Sequence, residues 1–159
     1  MHLKRWILAG AVASMVMGVW EMALEQFVGG NGFWAPVTYI AATVLRGYQD
    51  VATPVPFALI PVVVGLMGNM MNSVVLGAIF AKIAPRADGG PQGIVSLGAA
   101  YGVAVLLAMW LLVLPLVDPV MLRLNFVIFA LAHIMWGIAL GGILAWQRPV
   151  LAPWRNAVA

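Results

Sequence analysis

Residues 57–81 read FALIPVVVGLMGNMMNSVVLGAIFA, 25 positions without one charged side chain. A helix needs about 20 apolar residues to cross the hydrocarbon core of a bilayer. A helix on the surface of a soluble domain would also show a polar face along its length. Here the polar side chains, Asn69, Asn72 and Ser73, sit together near the middle. The run reads as a spanning helix, and it sets the solvent for the rest of the chain.

Three further runs share this character: residues 6–27, 93–117 and 124–146. At 1.5 Å per residue each of the four runs is roughly 33–38 Å long, enough to cross with some tilt. The composition agrees, with 64% hydrophobic and 8% charged residues over 159 positions. Soluble domains carry about 25% charged residues, and a soluble fold this apolar could not clothe its surface. The expectation is a single all-α integral membrane domain over 1–159, a four-transmembrane-helix bundle whose first partner is the lipid bilayer. Eight Lys and Arg against five acids are too few for a nucleic-acid footprint. The absence of cysteine excludes disulfides, thiolate nucleophiles and Cys-ligated metals.

The first residues resemble a signal peptide, with Lys4, Arg5 and a small-residue stretch Ala11-Val12-Ala13. The apolar run continues to Phe27, so a retained first helix is expected. Four spans put both termini on one side. Lys4, Arg5, Lys82, Arg86, Arg148 and Arg155 fall on that side, against Arg46 and Arg123 on the other. Positive charge accumulates on the cytoplasmic side, so both termini are expected there. Trp6, Trp34, Trp146 and Trp154 fall near the expected interfaces, as aromatic belts do.

The link between the first two spans is too long for a turn. Gly29-Gly30-Asn31-Gly32 breaks the helix. Residues 36–46 then read as a short helix, with Pro36 at its start and Gly47 after its end. Val37, Ile40, Ala41, Val44 and Leu45 form one apolar face. At roughly 16 Å this helix cannot span. It is expected to lie along the outer interface on lipid, with a lid dipping into the protein as the alternative. Pro61 is expected to kink the second span. The stretch from Pro115 to Pro119 ends the third.

A repeat lies inside the apolar runs. Asn69, Ser73, Gly77 and Ala81 recur at steps of four, as do His133, Gly137, Gly141 and Ala145, 64 residues later. Met71 and Met135, Leu76 and Leu140, and Ile79 and Ile143 match at the same offset. The first span has its own small stripe, Gly10, Ser14 and Gly18, and the third has Gly98 and Gly102. Lipid tails are as apolar as leucine, so membrane helices associate by close backbone approach, which small residues four apart permit. These stripes are expected to be packing seams, and the shared pattern suggests two repeated helix hairpins.

The remaining signal is polar. Charged groups at a helix centre cost about 2.5–3.5 kcal/mol on insertion scales, so those present need a reason. Glu21 lies about 9 Å below the outer end of its span, with Glu25 one turn above it. His133 lies about 13 Å below the outer end of the fourth. With the small stripes facing inward, Glu21, Glu25, Asn69, Asn72 and His133 gather in the outer half of the bundle. Such a cluster suits a carboxylate–imidazole proton relay. It also resembles part of a metal site, although the Glu-x-x-His pairs of helical-bundle metal centres are missing. Met15, Met17, Met22, Met67, Met70, Met71 and Met135 could offer thioethers to Cu(I), yet Met also fills gaps in apolar interiors. His133 could ligate a tetrapyrrole, but Phe129 crowds it one turn away. The same groups could simply hold the helices together at about 0.6–2 kcal/mol per contact. The sequence specifies no cofactor and no metal.

The pattern Gly68-Asn69-Met70-Met71-Asn72-Ser73 with Gly77, together with Ala132-His133, Gly137 and Gly141, resembles the YagU-like small proteins of the bacterial inner membrane. The resemblance covers the four spans and leaves residues 28–56 unmatched. It implies a four-helix protein of the bacterial cytoplasmic membrane and lends no activity. That family often has a His opening both helices, whereas position 69 here is Asn, so no paired-His site is carried over. No catalytic motif is present. The expected function is an accessory or scaffold subunit, bound to other membrane subunits or to itself. The alternatives are a small transporter, channel or proton relay, and a metal or tetrapyrrole binder.

Overall fold

A computed structural model describes residues 3–84, 87 and 89–147, with side chains from Trp6 onward. The Lys4 and Arg5 side chains, Arg86, Arg148, Trp154 and Arg155 lie outside the described residues.

Every regular element among the described residues is helical. Helix α1 (Leu3–Leu24) runs into a π-helical turn, Glu25–Gly29. Short α2 (Ala35–Ala42) and a 3₁₀ turn (Arg46–Tyr48) follow. After α3 (Leu59–Ile83), α4 (Gly90–Ala108) passes through a second π-helical turn, Met109–Val113, into α5 (Leu114–Val117). A 3₁₀ turn (Pro119–Arg123) leads to α6 (Phe126–Trp146). Four helical columns are long and apolar enough to cross a membrane: Trp6–Gly29, Leu59–Ile83, Gly90–Val117 and Phe126–Trp146.

The boundaries have local causes. Gly30, at φ 78°, ends the first column in the left-handed conformation that glycine tolerates. Pro61 lies in the first turn of α3, where a missing N–H costs nothing, so it breaks no hydrogen bond in the helix interior, the usual cause of the expected kink. Pro115 cannot donate back along the third column and its ring crowds the preceding turn. The column does not stop there; it widens into the π turn just before Pro115 and continues to Val117. Asn125 caps α6, its side chain accepting from the N–H groups of Val127 (3.0 Å) and Ile128 (3.3 Å).

Helix α1 packs against α3 and α6, α4 packs against α6, and α2 packs against α3. The tightest approaches are backbone to backbone. A Cβ on Gly98 would strike the Gly137 carbonyl, one on Gly102 the His133 carbonyl, and one on Gly141 would come within 2.7 Å of the Ile94 carbonyl. In the other hairpin, a Cβ on Gly10 would lie 2.8 Å from the Ser73 carbonyl, and one on Gly77 would lie 3.3 Å from Gly10. Ser73 donates its hydroxyl to the Gly10 carbonyl at 2.6 Å, and Asn69 donates to Ser14 Oγ at 3.0 Å. A Cβ on Gly18 would come within 3.2 Å of the Asn69 amide, so glycine there leaves room for it. Each small stripe therefore meets another within this chain.

The short helix departs from the expected interfacial linker. Seven of its eight residues are buried, including Val37 and Tyr39. It is wedged inward against α3 at Gly65, where a Cβ would strike the Val37 carbonyl. It also ends at Ala42, so Val44, expected on its apolar face, lies beyond it and is exposed. Glycine at 65 makes that seat possible, and the amphipathic pattern alone could not reveal a partner on the other face.

Polar bonds fasten this lid. Thr43 donates to Asp118 Oδ2 at 2.6 Å, and Gln49 donates to Asp118 Oδ1 at 3.0 Å. Arg46 reaches the Val117 carbonyl at 3.3 Å. Arg123 donates to the Val51 carbonyl at 3.3 Å and stands 3.8 Å from exposed Asp50. The lid thereby joins the Pro119–Arg123 turn to form the cap of the bundle.

Candidate functional site

Beneath the lid lies a cavity of about 370 Å³. That falls within the range of about 300–1,000 Å³ common for small-molecule sites. Met17 and Glu21 of α1, Asn69, Asn72 and Ser73 of α3, Val105 and Met109 of the third column, and Phe129, His133 and Trp136 of α6 form its walls. Ile40 of α2 and Met121 of the 3₁₀ turn form its roof. The lid is thus part of the site.

The cavity opens sideways between α3 and α4. Met71, Asn72 and Val75 line it and are also exposed. Helices α3 and α4 meet through side chains on the other side of the cavity from the lid. There Tyr101 donates to the Leu76 carbonyl at 3.0 Å and its ring lies 5.2 Å from that of Phe80. The Tyr101 ring in turn lies 5.8 Å from that of Trp136, which completes an aromatic floor.

The polar residues named from sequence separate into two groups. Glu21, Asn69, Asn72 and His133 line the cavity. Glu25 does not. It is fully buried and points into the cap, where Oε2 accepts from the Asn31 side chain at 2.8 Å and Oε1 from the Asn125 N–H at 2.8 Å. It ties the end of α1 to the start of α6, where the unpaired N–H groups favour a carboxylate. Buried Tyr39 lies near Arg123 and Glu25; burial pushes its phenol pKa up, against the pull of Arg123.

On the inner walls of the cavity the nitrogen and hydroxyl donors are engaged, whereas the Asn72 amide at the mouth is not. Trp136 Nε1 donates to Ser73 Oγ at 2.6 Å, and the Ser73 hydroxyl in turn donates to the Gly10 carbonyl. The amide nitrogen of Asn69 is held by Ser14. His133 Nδ1 lies 2.9 Å from the Phe129 carbonyl, which makes it the N–H and leaves Nε2 as an acceptor. Glu21 is only 4% exposed, and its Oε1 is buried without a partner. A buried polar group without a partner costs about 1–3 kcal/mol, more if charged, so its persistence calls for a reason.

The metal readings find little support in this geometry. Among the described residues, no three His, Asp or Glu side chains converge as a metal site. Of the seven methionines considered for Cu(I), Met17 and Met71 line the cavity, whereas Met15 and Met67 lie exposed. The Phe129 ring lies 4.2 Å from that of His133 and occupies the space a macrocycle would need there.

Sequence reasoning missed Gly65, Val105, Met109, Met121 and Trp136. One signal for Trp136 was present: it falls 64 residues after Asn72, on the repeat already noted. Compared with known proteins, the chain matches no family model, no curated protein and no solved structure.

Proposed function

We propose that this is a small multi-pass protein of the bacterial cytoplasmic membrane, termini inward, that binds a small molecule taken from the lipid phase. This places it with the carrier and relay class rather than with scaffold subunits. One observation carries the reading: Glu21, buried and unpartnered, faces a cavity that is roofed toward one end and open sideways at the depth of the apolar columns. In a bilayer that opening faces acyl chains, so an occupant enters from the lipid.

The duplicated-hairpin reading supports the same site. The α1–α3 crossing, Gly10 with Ser73 and Gly77, matches the α4–α6 crossing, Gly98 with Gly137 and Gly141. Ser14 with Asn69 likewise matches Gly102 with His133. The offsets are 88 for the first helices and 64 for the second; the lid accounts for the 24-residue difference. Under these offsets Met17 pairs with Val105, Glu21 with Met109, Asn69 with His133 and Asn72 with Trp136, all of them cavity residues. The cavity would sit on the axis relating the halves, as binding sites of repeat-built carriers do. The accessory-subunit reading leaned on seams of small residues, and those seams are occupied within the chain. A YagU-like kinship remains compatible with this proposal.

The test is to purify the protein gently, extract it with organic solvent, and compare it with Val105→Trp, which plugs the cavity mouth. The wild type is expected to carry a lipid-soluble small molecule, above the level of bulk lipid, that the variant lacks. Equal extracts from two folded proteins would overturn the reading.

A further inference from the structure

The cavity's hydrogen-bonding balance narrows the class of its occupant. Its N–H and O–H groups from Trp136, Ser73, Asn69 and His133 are engaged within the protein. What remains on the inner walls is acceptor capacity: Nε2 of His133, the side-chain carbonyl of Asn69 and the unpartnered oxygen of Glu21. Glu21 keeps an acceptor oxygen in either protonation state, and its protonated form adds one O–H donor. A ligand that brings only acceptors, such as a carbonyl compound, would leave His133 Nε2 and the Asn69 side-chain carbonyl unmatched. A ligand that brings hydroxyl donors would satisfy them. The Asn72 side chain, without a hydrogen bond among the described residues, lines the exposed mouth, where its amide can donate or accept.

Shape and surface point to a flat ring. Phe129, Trp136 and the His133 imidazole form one wall. Met17, Met71, Met109 and Met121 supply adaptable thioethers, which contact ring edges favourably. The sideways mouth lets an apolar tail remain in the acyl chains while the ring is held. On the duplicated-hairpin reading, Asn69 and His133 are equivalent acceptors on opposite sides of the axis, an arrangement suited to a head with a hydroxyl at each end.

We propose that the cavity binds a dihydroxylated aromatic lipid, a quinol with an apolar tail, in preference to the oxidised quinone. This rests on the ligand-binding reading above, and the experiment separates failure of one from failure of the other. The full-length protein in lipid nanodiscs is titrated anaerobically with decylhydroquinone, decylbenzoquinone and decylbenzene. Protein-specific binding is read as the heat of titration that is lost in the plugged Val105→Trp variant. Two matched hydrogen bonds at about 1 kcal/mol each predict hydroquinone tighter than quinone by roughly tenfold or more. Glu21→Met, which copies the paired Met109, and His133→Leu are expected to bring that ratio toward unity while leaving decylbenzene affinity within about twofold. Quinone binding as tightly as hydroquinone in the wild type would overturn the quinol preference and leave the cavity reading intact. Binding of none of the three probes, with Val105→Trp indistinguishable from wild type, would overturn both.

Discussion

Replacing Glu25 by glutamine tests whether the two neighbouring glutamates have been assigned correctly. The substitution keeps the shape and removes one acceptor. Glu25 accepts from Asn31 on one oxygen and from the Asn125 N–H on the other, both at 2.8 Å. Glutamine offers one oxygen and one NH₂, so one partner meets a donor. Asn31 cannot flip freely to relieve this, because the same amide nitrogen also donates to the Arg123 carbonyl at 3.2 Å. Hydrogen bonds to a charged group are worth about 1.5–3 kcal/mol, and neutral ones about 0.5–1.5 kcal/mol. Losing one bond and weakening the other should cost about 2–4 kcal/mol. Glu25→Ala loses both and strands a buried N–H, which raises the expected cost to about 3–6 kcal/mol. Glu21→Gln is the control: no protein hydrogen bond is lost, so the change should stay within about 1 kcal/mol. Reversible unfolding in mixed micelles at rising SDS fraction, followed by circular dichroism, reads all three. A neutral Glu25→Gln beside a Glu21→Gln costing 2 kcal/mol or more would refute the division of roles.

Two further outcomes follow from the packing. Gly102→Val drives side-chain atoms into the His133 carbonyl and should cost about 3 kcal/mol or more, whereas Gly142→Ala, with nothing within 4 Å, should stay within about 0.5 kcal/mol in the same unfolding assay. Asp118→Asn replaces an acceptor shared by Thr43 and Gln49, and should cost about 1–3 kcal/mol while speeding amide hydrogen exchange across residues 35–50. Unchanged exchange there would mean that Asp118 does not fasten the lid.

The four long apolar helices were legible because length and hydropathy are one-dimensional, and Leu59–Ile83 and Phe126–Trp146 are each long and apolar enough to cross a membrane. The seams were legible for the same reason: Gly98 and Gly137 mark close approach by lacking a side chain, whatever helix they meet. The lid was not. Its apolar face suited lipid and protein equally, and its seat is made by Gly65 and Gly68, two glycines in an apolar run that carry no mark of a partner. Glu25 was misplaced because helical periodicity puts it one turn above Glu21 on the same face. Its carboxylate is instead taken up by Asn31 and the Asn125 N–H, partners that lie outside its helix and that periodicity cannot place. Val105 and Met109 were invisible as site residues because nothing in their chemistry separates them from lipid-facing neighbours.

The pairing of the two hairpins turns that last difficulty into an argument. If the halves arose by duplication, the closest packing positions should stay small, and Gly10 with Gly98, Ser73 with Gly137 and Gly77 with Gly141 do so. Three pairs of cavity positions differ in chemistry instead. Under the proposed duplication Glu21 corresponds to Met109, Asn72 to Trp136 and Asn69 to His133, so one hairpin would contribute a carboxylate and two amides where the other contributes a thioether, an indole and an imidazole. A purely structural bundle would gain nothing from an unpartnered carboxyl at that depth, since methionine at 21 would pack as it does at 109 and avoid the desolvation of a polar group. Glu21→Met should therefore stabilise the bundle, or leave it unchanged, while altering what the cavity binds. Glutamate at 21, set against that gradient, is explained by something other than protein meeting its free oxygen.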